Sequence, residues 1–341
     1  MNRKRLTLHR NTDTSRRQWL GQAAALGAAS VWGLHAPASA QAAYPNRPIK
    51  LMVPWPPGQA TDLAARVLGQ ELSKILGQPF IIDNRAGAGG TIGTDAVAKA
   101  PGDGYTLLAA SSGPVSISPL FTKTPYDSEK DLQPIAMLGL SPYLLVTSPD
   151  FPAKDAKELV ALIKAHPNKY SFASSGTGAT AHLICEAFNA ALGLQATHVP
   201  YKGSVPALTD VISGQVAYCI ETAGSTQPFI RNGRLKAYGV SVEKGSSVTP
   251  GVPPLAVAAS IPGGFDLGAW FGMMAPASTP KPIIDQLTGV LEKAMQTPEM
   301  KKAFDGIAIE IDYRKPDDFN KYLKMISASF SDVIRRGNIK P

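Results

Sequence analysis

Two glycine-bearing loops, each lying between an apolar strand pattern and a helical pattern, hold residue types able to bind an anion without a cationic side chain. The first is Val53-Pro54-Trp55-Pro56-Pro57-Gly58-Gln59-Ala60-Thr61-Asp62. Its prolines stiffen the turn, Gly58 lets the backbone approach a guest, and the unpaired amides of the first helical turn carry a partial positive charge suited to a carboxylate. The second, Ser174-Ser175-Gly176-Thr177-Gly178-Ala179-Thr180-Ala181-His182, adds hydroxyls, flexible backbone and another helix N-terminus. Alone, each loop reads as a turn and cap. Together, in separate halves of the chain, they supply two jaws. A third segment, Val199 to Pro206, contributes the aromatic Tyr201, the cation Lys202, Gly203 and Ser204 before a helix. Ser111 and Glu221 end two further strand patterns, which makes them polar liners by position or caps of neighbouring helices.

Catalytic patterns are weaker. Gly87-Ala88-Gly89-Gly90-Thr91-Ile92-Gly93 follows a strand and precedes a helix, yet Ile92 occupies the third glycine position of a dinucleotide fingerprint. It reads as a tight turn that packs a helix on its sheet. Ser241-Val242-Glu243-Lys244 matches Ser-x-x-Lys without the companion motifs of penicillin-binding enzymes. No Gly-x-Ser-x-Gly elbow occurs, and His182 near Cys185 lacks the orienting context of a nucleophilic pair, so packing or capping is its expected role. The competing class is an exported enzyme acting on a small polar or acidic substrate in the same cleft. An adhesive or structural module would show repeats or an exposed apolar face, and the sequence has neither.

Positioning these loops requires alternating strands and helices. Strand patterns cover 49–53, 80–83, 106–110, 135–138, 143–147, 170–173, 216–220, 235–240 and 270–274. Between them, Leu63, Val67, Leu72, Ile75 and Leu76 set one helical face stopped by Gly77, with others over 159–163, from Thr180 to Gly193, and from about Pro282 to Met295. Such alternation predicts an α/β fold with mixed, mainly parallel sheets. Ligands of such sheets bind at the carboxyl ends of the strands, where both loops fall. Two extended segments, 140–143 and 265–269, are candidate lobe crossings. They divide the chain into lobe I (41–142 and 269–341) and lobe II (143–268).

The first forty residues read as an export signal. Arg3, Lys4, Arg5 and Arg10 lead to Ser15-Arg16-Arg17-Gln18-Trp19-Leu20, a twin-arginine pattern with Trp19 in place of the usual Phe, so Sec export stays open. An alanine-rich run follows to Leu34, too short and too diluted by Gly27 and Gly33 for a bilayer span, and Ala38-Ser39-Ala40 suits cleavage after Ala40. This leader carries +5 of the chain's +8, so the mature chain is only weakly basic and nucleic acid is not an expected partner. Roughly 300 residues remain, more than one core usually organises. Cys185 and Cys219 are expected as free buried thiols, with a single bridge between them left open. His166, His182 and His198 have no zinc-site spacing, and neither a metal nor a cofactor is expected.

Six motifs in order then resemble the Bug-type receptors of the tripartite tricarboxylate transporter family over essentially the whole mature chain. They are Tyr44-Pro45-Asn46-Arg47-Pro48-Ile49, Val53 to Gly58 with Thr61-Asp62, Asp83 to Gly90, Asp103-Gly104-Tyr105-Thr106-Leu107-Leu108, His198 to Gly203, and Trp270-Phe271-Gly272 followed by Ala275-Pro276. The resemblance implies a type II periplasmic binding protein fold whose two lobes close on a small carboxylate, acidic or amide compound, often through backbone groups and ordered waters. It implies a monomeric periplasmic receptor serving integral membrane subunits, or in some cases a signalling partner. From the loops described above, the expected ligand contacts of the first jaw are Trp55, Pro57, Gly58, Gln59, Ala60, Thr61, Asp62 and Ser111. Those of the other jaw are Ser174, Ser175, Gly176, Thr177, Gly178, Thr180, Tyr201, Lys202, Gly203, Ser204 and Glu221. Two positions depart from the family pattern. Gln59 replaces the second glycine of the first loop, and Glu221 stands where relatives commonly have Asp.

Overall fold

The computed structural model describes residues 44–339, so the expected export segment lies outside the described residues. The continuous apolar run of β1 (Ile49–Val53) becomes a central strand covered on both faces, with Ile49, Leu51 and Val53 fully buried. It pairs in parallel with β2 (Phe80–Asn84) and β3 (Thr106–Ser111). Next come β4 (Leu132–Ser141), β10 (Ala269–Pro276) and β11 (Glu310–Arg314), completing a mixed sheet of order β11-β4-β10-β3-β1-β2. A second mixed sheet, β7-β6-β8-β5-β9, is built from β5 (Tyr143–Thr147), β6 (Ser171–Ser174), β7 (Thr197–Pro200), β8 (Tyr218–Thr222) and β9 (Lys236–Val240). Antiparallel pairing is concentrated at β4, β5 and β10, the strands through which the chain passes between the sheets.

Helices join the strands. The first, α1 (Ala60–Leu76), ends at Gly77, whose φ of +65° is the left-handed cap conformation that glycine adopts freely. Its buried stripe is Ala64, Ala65, Leu68 and Leu72, whereas Ile75 is 46 % exposed. The expected face is therefore rotated: alanines and Gly69, whose missing side chain admits Phe80 and Ile82, let the helix lie closer to the sheet than leucines would. Further helices are α2 (Thr91–Ala98), α3 (Ser118–Phe121), α4 (Ala156–Ala165), α5 (Thr180–Leu192), α6 (Ser204–Ile212), α7 (Ala223–Arg231) and α8 (Leu255–Ala258). The chain ends with α9 (Lys281–Met295), α10 (Pro298–Gly306) and α11 (Pro316–Arg336). Strands β7 and β11 were not expected. One contains a proline and the other alternates charge with apolar residues, as short edge strands do.

Both sheets belong to one compact unit, and several elements bind them beyond the strand crossings, among them Ala308, buried in the second core, and Glu310 of β11, which accepts from Ser246 and Ser247. Between β3 and α3, a π-helical turn at Gly113–Ile117 buries Ile117 completely in the second sheet's core. At the other end of the chain, α11 buries Phe319 edge-on to Trp270 in the first core and Phe330 in the second. The two cysteines are buried and unbridged, and among the described residues no helix is long and apolar enough to cross a membrane.

Because Phe330 is fully buried, Phe330→Ala should lower unfolding free energy by ~3–5 kcal/mol in urea denaturation. A loss below about 1 kcal/mol would mean that the last turns of α11 are not docked on the second core.

Candidate functional site

The first jaw is held by a carboxylate network. Asp62, 1 % exposed, accepts the Gly58 amide at 2.9 Å and Arg66 Nε at 3.0 Å on one oxygen, and Asn84 Nδ2 at 2.8 Å on the other. Asn84 also donates to the Trp55 carbonyl, and Trp55 Nε1 donates to Ser111 Oγ at 2.9 Å. Asp62 therefore fixes the loop and offers no lone pair to a guest. Gly58 has φ +86°, so the turn needs glycine there. Gln59 ends the loop buried, and Pro57 is exposed outside the site.

The second jaw leans on two imidazoles. Ser174 Oγ lies 2.6 Å from His198 Nε2 and accepts the Gly176 amide, while Gly178 donates its amide to His182 Nδ1 at 3.4 Å. The rings of His182 and His198 stack at 4.1 Å, with Phe172 beyond His198 and Phe121 against His182. Burial pushes the His182 pKa down to about 3, helped by the neighbouring His198, and burial alone pushes His198 to about 4. Both are neutral at ordinary pH, and the bond from Gly178 assigns the His182 proton to Nε2, which faces Glu186 at 3.7 Å.

Between the jaws is an inner cavity of about 20 Å³, room for one water or one functional group. Trp55, Gln59, Ala60, Thr61 and Ser111 line it from one side, and Ser175, Thr180 and Thr222 from the other. The N-termini of α1, α5 and α7 thus converge on it, and no lining residue is charged. Trp55 and Ser175 also border an outer chamber of about 230 Å³, walled by Gly87, Ala88, Gly89, Gly176, Thr177, Pro200, Tyr201 and Lys202. A groove of about 450 Å³ between α5, residues 262–267 and α11 is larger, but it is an open surface feature away from these helix ends.

The expected residues separate accordingly. Ser174, Gly178 and Asp62 brace the loops. Tyr201 gives its hydroxyl to Asp210 Oδ2 at 2.5 Å and borders the chamber, while Lys202 is exposed at the rim. Gly203 packs on Pro56, and Ser204 lies beside Glu221. Glu221 is 1 % exposed and accepts the Thr222 amide at 2.8 Å. Burial raises its pKa to about 7, opposed by the Thr222 amide and the hydroxyls of Ser175, Ser204 and Thr222. Sequence reasoning missed Ser141, Tyr143, Thr222, Trp270 and Phe271 in the inner cavity and Gly87 to Gly89 in the outer one. Ser141, Tyr143, Trp270 and Phe271 flank the two lobe crossings, which is the available signal; Thr222 ends its strand beside Glu221, and the glycine loop reads in the sequence as packing alone.

The jaws touch. A Cβ built on Gly89 would lie 2.6 Å from the Thr177 carbonyl, one on Gly203 2.3 Å from Pro56 Cγ, and one on Gly224 2.5 Å from the Ile307 carbonyl. Ser118 Oγ donates to the Gly178 carbonyl at 3.2 Å. Among the described residues no cluster of His, Cys, Asp and Glu could hold a metal ion, and burial raises both thiols well above the usual range.

Comparison with known proteins agrees with this geometry. The model of the tripartite tricarboxylate transporter family receptor matches residues 64–339. BugT of Bordetella pertussis is 38 % identical over 310 residues, covering 90 % of this chain and 94 % of its own. An R. palustris protein solved with adipate superposes at TM-score 0.85 with 29 % identity, covering 87 % of this chain and 99 % of that one. MatC from Rhodopseudomonas palustris, solved with bound malate, gives 0.80 with 32 % identity, covering 85 % and 100 %. The chain belongs to the tripartite tricarboxylate transporter receptor family.

Proposed function

We propose that this protein is a periplasmic solute-binding receptor that captures a small carboxylate by closing two lobes on it and delivers it to the membrane subunits of a tripartite transporter. The observation that carries the reading is the convergence of three helix N-termini on one small, uncharged cavity between the sheets. Peptide dipoles so placed stabilise a carboxylate where surrounding protein keeps the dielectric low. The relatives solved with adipate and malate hold dicarboxylates, which favours the same ligand class here.

In this reading the lobes are 41–142 with 269–341, and 143–268; closure turns about 140–143 and 265–269, and the closed face is what the membrane partner reads. Residues 1–40 are the export signal, removed near Ala40, and the mature receptor works as a monomer. A signalling protein is the alternative partner. Catalysis is disfavoured by the one pairing that resembles it: Ser174 is fully buried, lines neither chamber, and its partner His198 is held too acidic to act as a base near neutral pH.

Closure is tested at Gly224, in the first turn of α7. Alanine is favourable for the helix there but collides with the Ile307 carbonyl only when the lobes are together. Calorimetric titration with malate or adipate should show Gly224→Ala binding at least ~10-fold more weakly, about 1.4 kcal/mol, with the ligand-free melting temperature held. Undiminished affinity would sink the closure mechanism.

The histidine stack gives a pH test. Its folded pKa values are depressed below the unfolded value of about 6.5, so its contribution is full above that pH and is lost as pH falls through about 4 and then about 3. Melting temperature should therefore drop on acidification, and NMR of the imidazoles should find His182 and His198 neutral at pH 5.5. Glu221 has the opposite sign. Its raised pKa gives stability that is full below 4.5 and is lost as pH rises through about 7, so Glu221→Gln should flatten that loss in thermal scans between pH 5 and 8.

A further inference from the structure

Two buried polar atoms at the cleft have no hydrogen-bond partner among the described residues: Gln59 Oε1 and Ser141 Oγ. Gln59 and Ser141 line the inner cavity itself. A buried polar atom left unpaired is unfavourable, so native interiors rarely keep one without a reason, and two on one small cavity mark a place that a guest completes. Their polarity is informative. The helix ends of α1, α5 and α7 offer amide donors. The amide oxygen of Gln59 only accepts, and it reaches across the seam to 3.5 Å from the Cβ position of Gly203, next to Ser204. Ser204 in turn stands beside Glu221. A carboxylate satisfies donors and cannot satisfy the oxygen of Gln59, because both groups are acceptors.

Resting on the receptor reading above, we infer that the natural guest carries an N–H or O–H donor beside its carboxylate, and that Gln59 is the residue that reads this donor. The ligand class is a hydroxy, amino or carboxamido acid rather than a plain alkanoate or unsubstituted dicarboxylate. A site built to pair a donor discriminates strongly against the analogue that lacks it, since its own buried acceptor is then left unpaired.

The experiment is calorimetric titration of the mature protein against matched probes: succinate, malate, aspartate and succinamate, with adipate and 2-aminoadipate as a longer pair. At least one donor-bearing probe should bind ~10-fold or more tightly than its parent diacid. Gln59→Leu, similar in size but without the amide, should erase that preference, so that each donor-bearing probe binds no more tightly than its parent diacid, and Gln59→Glu should retain a preference for an ammonium-bearing probe. Equal affinity across each matched set overturns the inference and leaves the receptor reading standing. A preference that survives in Gln59→Leu removes Gln59 from the role. If no carboxylate of either kind binds, the carboxylate reading itself fails, and this inference with it.

Discussion

The site depends on concentrating amide dipoles in a space that contains no cation. Each helix end carries a partial charge of about +0.5, and that field weakens within a turn. Three ends must therefore meet closely, and water must be kept out, before they rival a lysine or arginine. The size of the inner cavity and the direct contact between the jaws follow from that requirement. So do the glycines at 89, 203 and 224, because a methyl group at any of them would hold the helix ends apart. A dipole cradle differs from an arginine clamp in one further respect: it supplies donors without a counter-charge, so the acceptors nearby are free to choose among guests.

Such a cradle works only if its backbone stays in place when empty, and the two jaws achieve this by different chemistry. The first uses a buried carboxylate shared by an amide, a guanidinium and an asparagine, which also anchors the Trp55 carbonyl. The second uses neutral imidazoles whose burial removes their charge and leaves them as fixed hydrogen-bonding posts. Both arrangements restrict the loops before the ligand arrives, which reduces the ordering that binding requires.

Much of this was legible in the sequence because it is local. The strand at Ile49–Val53 and its proline-rich exit, or the serine and glycine run at 174–180, announce a strand-to-helix junction through composition alone. What stayed hidden is non-local. The buried face of α1 was misjudged because small residues, rather than the larger leucine and isoleucine, mark a helix that packs tightly on a sheet. Ser141, Tyr143 and Trp270 enter the cavity only because two distant crossings lie side by side. The departure at Gln59 could be seen from the family pattern, but its direction across the seam could not. Asp62, expected as a contact in a binding loop, accepts from the Gly58 amide, Arg66 and Asn84, three partners that its local sequence does not announce together.

The last helix adds a consequence for motion. Two strand crossings alone form a simple pivot, about which either lobe swings freely. With Phe319 seated in one core and Phe330 in the other, eleven residues and roughly 16 Å apart along α11, the halves hang from a further attachment off that pivot. Swinging them apart must flex this rod or draw one aromatic ring from its socket. The contact between the lobes is thus set in part at the carboxyl terminus, by a helix that lines neither chamber.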